Sequence, residues 1–232
     1  MHIIDSISIT SYVAGKLTNN HSQGTSLQNS IYIASRTFLP FVLLILAFLI
    51  ENGATFKEFM LYSILHLLPM IFIIIAVILN INFFQKFFQK VIFNRKSETL
   101  PKALFHGIFL KNHEQELIEF LVEFSINRVV LLKSLLSSLA YIFLTTGFFI
   151  SFSFAFYFEE FRMTVSQLTT VFHGFGTLIL AIAIDPMLSK SIDNSADSDY
   201  WIINIFSIIF GRLLAYFIVF CTFLLIYLLI EV

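Results

Sequence analysis

Charge is scarce in this chain. Asp, Glu, Lys and Arg make up 12% of its 232 residues, about half the share found in ordinary soluble domains. Apolar residues make up 58%, more than a water-soluble fold of this length can withdraw from solvent. Lipid is the solvent that removes the difficulty. Cysteine is nearly absent: Cys221 stands alone in an apolar run, which excludes a disulfide framework and a thiol metal site and leaves a small packing residue. No P-loop, His-Glu-x-x-His, Gly-x-Ser-x-Gly or cysteine pair occurs, so motifs indicate no enzyme chemistry and no cofactor. The six histidines are scattered without metal-ligand spacing. A basic n-region followed by a small-residue cleavage pattern is missing too, so no cleavable signal peptide is expected.

What the chain does have is long hydrophobic runs. Five reach the length of a membrane span: Leu27 to Ile50, Phe59 to Phe84, Ser134 to Phe158, Val165 to Leu188 and Trp201 to Ile230. Ile3 to Leu17 is a sixth, short and carrying Asp5. The expected architecture is therefore all-α, a single polytopic bundle of about six transmembrane helices. One connection is long. Residues 85–133 hold eight of the fourteen Lys and Arg, which makes this loop cytoplasmic under the positive-inside rule. A cytoplasmic loop also accounts for the basic cluster without nucleic acid. Within the loop, Phe83, Phe84, Phe87, Phe88 and Ile92 alternate with Gln85, Lys86, Gln89 and Lys90, an amphipathic helix suited to the membrane interface. Residues 117–130 read as a second one, with Glu116, Glu119 and Glu123 at spacings of three and four.

Polar groups inside hydrocarbon are costly, so their placement is informative. Arg36, His173 and Arg212 fall in the middle of spans. At about 1.5 Å of rise per residue they lie roughly 14, 12 and 16 Å from the starts of their runs. In a hydrocarbon core about 30 Å thick these depths nearly coincide. Three basic groups at one level suggest a site for an anion. The plainer reading is that each arginine snorkels, or pairs with Asp185 or Asp5 to hold helices together. His66, beside Pro69 in an apolar run, reads as a packed histidine.

Small and polar residues form stripes. Thr170, Gly174, Thr177, Ala181 and Asp185 share one face of a helix, with His173 beside it. Asn204, Ser207, Gly211 and Ala215 form another next to Arg212, and Ser134, Ser138, Tyr141 and Thr145 a third. Close helix packing is the default meaning of such stripes. Asp185 beside Pro186 is harder to explain by packing, because the proline should disturb the local helix and free backbone carbonyls.

Residues 161–193 resemble one family. The marks are Thr164 to Leu168, Gly174 with Thr177, the Asp185-Pro186 pair and Asp193, joined by Gly211-Arg212, Ser35-Arg36, Asp5 and Gly15. Together they resemble the Amj family of bacterial lipid II flippases, named as the alternate to MurJ. The resemblance implies a transporter of the bacterial cytoplasmic (inner) membrane in peptidoglycan biosynthesis. It would carry an undecaprenyl-pyrophosphate-linked saccharide from the cytoplasmic to the outer leaflet.

On this reading Arg36 and Arg212 compensate the pyrophosphate and His173 assists or titrates. Asp185 holds a basic residue or couples protons, while Gly174 and Thr177 line a wet groove for the headgroup. Partners are the lipid-linked saccharide and membrane lipids, and a homo-oligomer stays open. Alternatives are a flippase for another polyprenyl-linked glycan, such as an O-antigen or capsule unit, and an intramembrane enzyme acting on prenyl phosphates. A non-catalytic assembly partner is a further option.

Overall fold

The computed structural model describes residues 2–95, 97–109, 128–193 and 198–230. These are almost entirely helical, with no strand among the described residues. Five helical stretches are long and apolar enough to cross a membrane: His21–Glu51, Phe56–Leu79, Val130–Tyr157, Glu159–Leu188 and Asn204–Ile230. The protein is an all-α, multi-pass membrane protein. Its chain divides into two compact units, Met1–Thr37 with Ile74–Ser125 and Phe38–Ile73 with Ile126–Val232.

In the first unit, the run expected as a short sixth span is instead two helices, His2–Ser8 and Thr10–Leu17, parted at Ile9. The hydroxyls of Ser8, Thr10 and Ser11 explain the parting. Each donates to the carbonyl three residues back, at 2.7–2.8 Å, and such local bonds compete with the helical ladder. Asn19 then takes a left-handed φ of 53°, a conformation asparagine tolerates better than most side chains. The chain reverses there into helix His21–Arg36. Gly15 and Gly24 meet where these helices pack, and a Cβ on either would lie 2.8 Å from the other's Cα.

Helix Ile81–Asn94 is the expected amphipathic segment, separated from the preceding span by Asn80. Its side with Gln85, Phe88, Gln89 and Ile92 is buried. Phe88, Val91 and Ile92 form a core with Ala14, Leu27 and Ala103, the last from helix Leu100–Phe109. So one face of this helix packs against protein, where the sequence suggested only a tether to the leaflet. The second amphipathic stretch, 117–130, lies outside the described residues as far as position 127.

The second unit is arranged around helix Arg128–Tyr157, which packs against Ser198–Ile230 and Leu168–Ile179. Small residues permit the close approaches, as expected where lipid offers no hydrophobic drive for helices to associate. A Cβ on Gly147 would lie 2.7 Å from Phe172 Cβ, and one on Gly176 would lie 2.6 Å from Leu144 Cγ. The side with Leu131, Leu132, Leu135 and Leu139 is exposed, as a lipid-facing surface should be. Rings from Phe56 and Phe59 meet Phe149, Phe156 and Tyr157 at centroid distances of 5.3–6.4 Å.

Candidate functional site

Arg212 sits in the seam between helices Arg128–Tyr157 and Ser198–Ile230, only 4% exposed. Its Nη2 donates to the Tyr141 hydroxyl at 2.6 Å. Its guanidinium carbon lies 4.2 Å from the centre of the same ring. Gly211 makes this placement possible: a Cβ there would overlap the Ser134 carbonyl and lie 2.6 Å from Ser137 Cβ. Both helices contribute polar groups along the seam. Lys133 donates to Asn204, Asn204 Nδ2 donates to the Met187 carbonyl at 3.4 Å, and Ser137 Oγ donates to the Ile208 carbonyl at 3.2 Å. Arg212 lies roughly 12 Å along its helix from Asn204. The hydroxyls of Ser138, Thr145 and Thr169 are buried without a hydrogen-bond partner among the described residues.

Arg36 is held by the same device in the first unit. Its Nη2 donates to the Tyr32 hydroxyl at 2.7 Å, with the guanidinium carbon 4.5 Å from the ring centre. It occupies the last turn of its helix, where unpaired carbonyls favour a cation. The span then breaks at Thr37 and Phe38 before resuming at Leu39–Glu51, and Pro40 can offer no N–H to the Arg36 carbonyl. The arginine has no ion pair among the described residues, and its buried Nε has no acceptor. Asp5, one of the two acids considered as its partner, is bonded by the Ser35 hydroxyl instead.

His173, Gly174, Thr177 and Asp185 lie on the stretch Leu168–Asp193 of the second unit. His173 is half-buried, its Cδ2 3.2 Å from the place a Gly147 Cβ would occupy and its ring 6.3 Å from that of Phe148. Gly174 differs from expectation if taken as a packing residue. It is exposed, nothing lies within 4 Å of its Cβ position, and Gly176 makes the tight contact. Thr170, Thr177, Ala181 and Asp185 are exposed with it, so the whole stripe faces away from its neighbours. Thr177 donates to the His173 carbonyl at 2.8 Å. Pro186 does disturb the helix: Leu180–Ile184 forms a π turn, closed by the Asp185 amide reaching back to the Leu180 carbonyl. A proline clashes with the carbonyl four residues earlier, here Ile182, and the wider turn relieves it. Asp185 has no ion pair among the described residues, so it does not hold Arg212.

The described second unit thus brings Arg212 together with Tyr141, and His173 together with Gly147 and Phe148. Those two points on helix Arg128–Tyr157 are about 9 Å apart along its axis. Sequence reasoning placed Tyr141 on a stripe but did not make it the partner of Arg212. It also left Lys133 in the loop, although the structure bonds it to Asn204. The available signal was the alignment of two polar stripes on helices that must pack somewhere.

No family model, curated protein or solved structure matches the chain.

Proposed function

We propose that the chain is a flippase for a polyprenyl-pyrophosphate-linked saccharide, with lipid II as the favoured cargo, in the bacterial cytoplasmic membrane. The observation that carries this reading is Arg36. A permanently charged side chain sits at a break inside a span, anchored to tyrosine, with a buried N–H left unpaired. Buried donors without acceptors are rare and call for a partner. Guanidinium suits pyrophosphate because it offers several donors in a planar fork. In the second unit, Arg212 is held on Tyr141 by the same device. The buried hydroxyls of Ser138, Thr145 and Thr169 and the outward polar stripe ending at Asp185 would favour a hydrated headgroup over a lipid tail. Helix breaks and π turns of the kind found at Thr37 and Leu180 also recur at functional sites. The residues that carry the family resemblance include one bonded pair, Asp5 and Ser35.

The deciding experiment follows lipid-linked precursor reaching the outer leaflet in cells that depend on this chain. Arg36→Gln and Arg212→Gln should each abolish transport while protein abundance is kept, and Arg→Lys should leave part of it. Normal transport in both Gln variants would overturn the reading. The saccharide that accumulates on the cytoplasmic face after depletion separates lipid II from an O-antigen or capsule unit.

A further inference from the structure

In the second unit, helices Leu39–Glu51, Phe56–Leu79 and Arg128–Tyr157 border a cavity of about 260 Å³. Val42, Ile45 and Leu46 form one wall, and Phe148 and Phe149 form another. The middle helix supplies a polar edge of Tyr62, Ser63 and His66. Ser63 is committed, since its hydroxyl donates to the Phe59 carbonyl at 2.8 Å. The phenol oxygen of Tyr62 and the ring nitrogens of His66 have no hydrogen-bond partner among the described residues. Four positions apart on the helix, these two side chains share a face. The sequence suggested a packed histidine at position 66. The structure leaves it exposed, its ring 6.0 Å from that of Phe149 and edge-on to it.

Depth makes this pair informative. His66 lies ten residues from the start of the span Phe56–Leu79, roughly 15 Å into a core about 30 Å thick. Tyr62 lies roughly 9 Å in. Water is scarce at that level, and a hydrogen-bonding group without a partner is costly there. Acyl and prenyl chains reach the same depth but carry no acceptor. The ester carbonyls of glycerophospholipids stay at the interface, well above His66. Isoprenoid quinones dissolve in the hydrocarbon itself and carry two carbonyl oxygens on a flat ring.

We propose that this cavity binds the ring of an isoprenoid quinone. Cβ atoms four residues apart on a helix are about 5–6 Å from each other, close to the spacing of the two oxygens across a quinone ring. The Tyr62 hydroxyl and a His66 N–H can therefore each donate to one carbonyl. The electron-poor ring suits the negative faces of Phe148 and Phe149, whose centroids are 4.2 Å apart. An apolar lining with a few convergent donors is the usual make-up of a small-molecule site. The volume falls just under the roughly 300–1,000 Å³ that encloses a drug-sized molecule, so the headgroup enters and the isoprenoid tail stays in lipid. This site goes beyond the transport reading and does not rest on it.

The test uses the purified full-length protein in a neutral detergent, read by native mass spectrometry. It is titrated with menaquinone or ubiquinone of four isoprene units, or with geranylgeraniol, which has the same tail and lacks the ring. The better-bound quinone should exceed geranylgeraniol by about tenfold or more, the worth of two hydrogen bonds. His66→Phe and Tyr62→Phe keep an aromatic ring at each place and remove only the donors. Each should weaken quinone binding by about threefold to tenfold. The double variant should bring the preference below about twofold, with geranylgeraniol binding unchanged throughout. Equal binding of quinone and geranylgeraniol, or a preference that survives in the double variant, overturns the proposal. So does displacement of the quinone by an equal concentration of dioleoyl phosphatidylcholine.

Discussion

Arg212 and Tyr141 touch in two ways at once: the phenol oxygen accepts from Nη2 at 2.6 Å, and the guanidinium carbon stands 4.2 Å from the ring centre. The two contacts are separable. Tyr141→Phe keeps the ring and its cation–π attraction but removes the acceptor of a buried hydrogen bond from a charged group, a loss of about 1.5–3 kcal/mol. Tyr141→Leu removes both contacts and should cost more. Thermal unfolding in detergent should rank the melting temperatures wild type, Phe, Leu. A Phe variant as stable as wild type would mean that the hydroxyl contributes nothing to holding the arginine.

Glycines discriminate the faces of the second unit. Gly211→Leu and Gly176→Leu push a side chain into Ser134, Ser137, Leu144 and Ala140, where overpacking costs about 1–3 kcal/mol or more. Gly174→Leu meets open space. Size-exclusion profiles of fluorescently tagged variants should show loss of folded protein for the first two and normal yield for the third. If the outward stripe serves the headgroup, Gly174→Leu lowers transport at unchanged yield.

Ser35 and Asp5 join helices His21–Arg36 and His2–Ser8, and both are buried. Ser35→Ala strips a donor from a buried carboxyl and should destabilise by about 1–3 kcal/mol. With Asp5→Ala alongside, the loss should be smaller than the sum of the two single losses, because the second change removes a group already left unpaired. Additive losses in a double-mutant cycle would show that the pair is not coupled.

Topology is open to a direct check. Ser97 is exposed and follows the basic helix Ile81–Asn94, in the segment that the positive-inside rule assigns to the cytoplasm. With Cys221 replaced, Ser97→Cys should resist membrane-impermeant thiol reagents in intact cells and react after permeabilisation. Ready labelling of intact cells would reverse the orientation.

The spans were legible because length and apolarity set them, and residues distant in sequence hardly matter to that decision. The division of Ile3 to Leu17 was not legible, because it turns on which hydroxyls fold back onto their own carbonyls. Phe59 to Phe84 was read as one run because Phe83 and Phe84 are apolar, whereas Asn80 ends the span at Leu79. Spacing put Gly174 and Thr177 on a common face correctly. It could not say that this face turns outward while Gly176 and Thr169 turn inward, since periodicity fixes relative azimuth and leaves the partner unspecified. Arg36 and Arg212 stand out in the sequence because charge in hydrocarbon is conspicuous. Their pairing with Tyr32 and Tyr141 is not legible, because tyrosine is ordinary there.

The π turn at Leu180–Ile184 also has a consequence for chain length. A wide turn carries about one residue more than the α-helical path requires. Removing one residue from it would leave both flanks in their present facing, at the cost of restoring the Pro186 clash that the wide turn relieves. The same deletion in the first half of Ser198–Ile230 has no surplus to absorb it. Everything beyond would rotate by about 100°, taking Arg212 off Tyr141 and Gly211 off Ser134. Facing therefore survives the loss of a residue beside Asp185 and does not survive it beside Arg212.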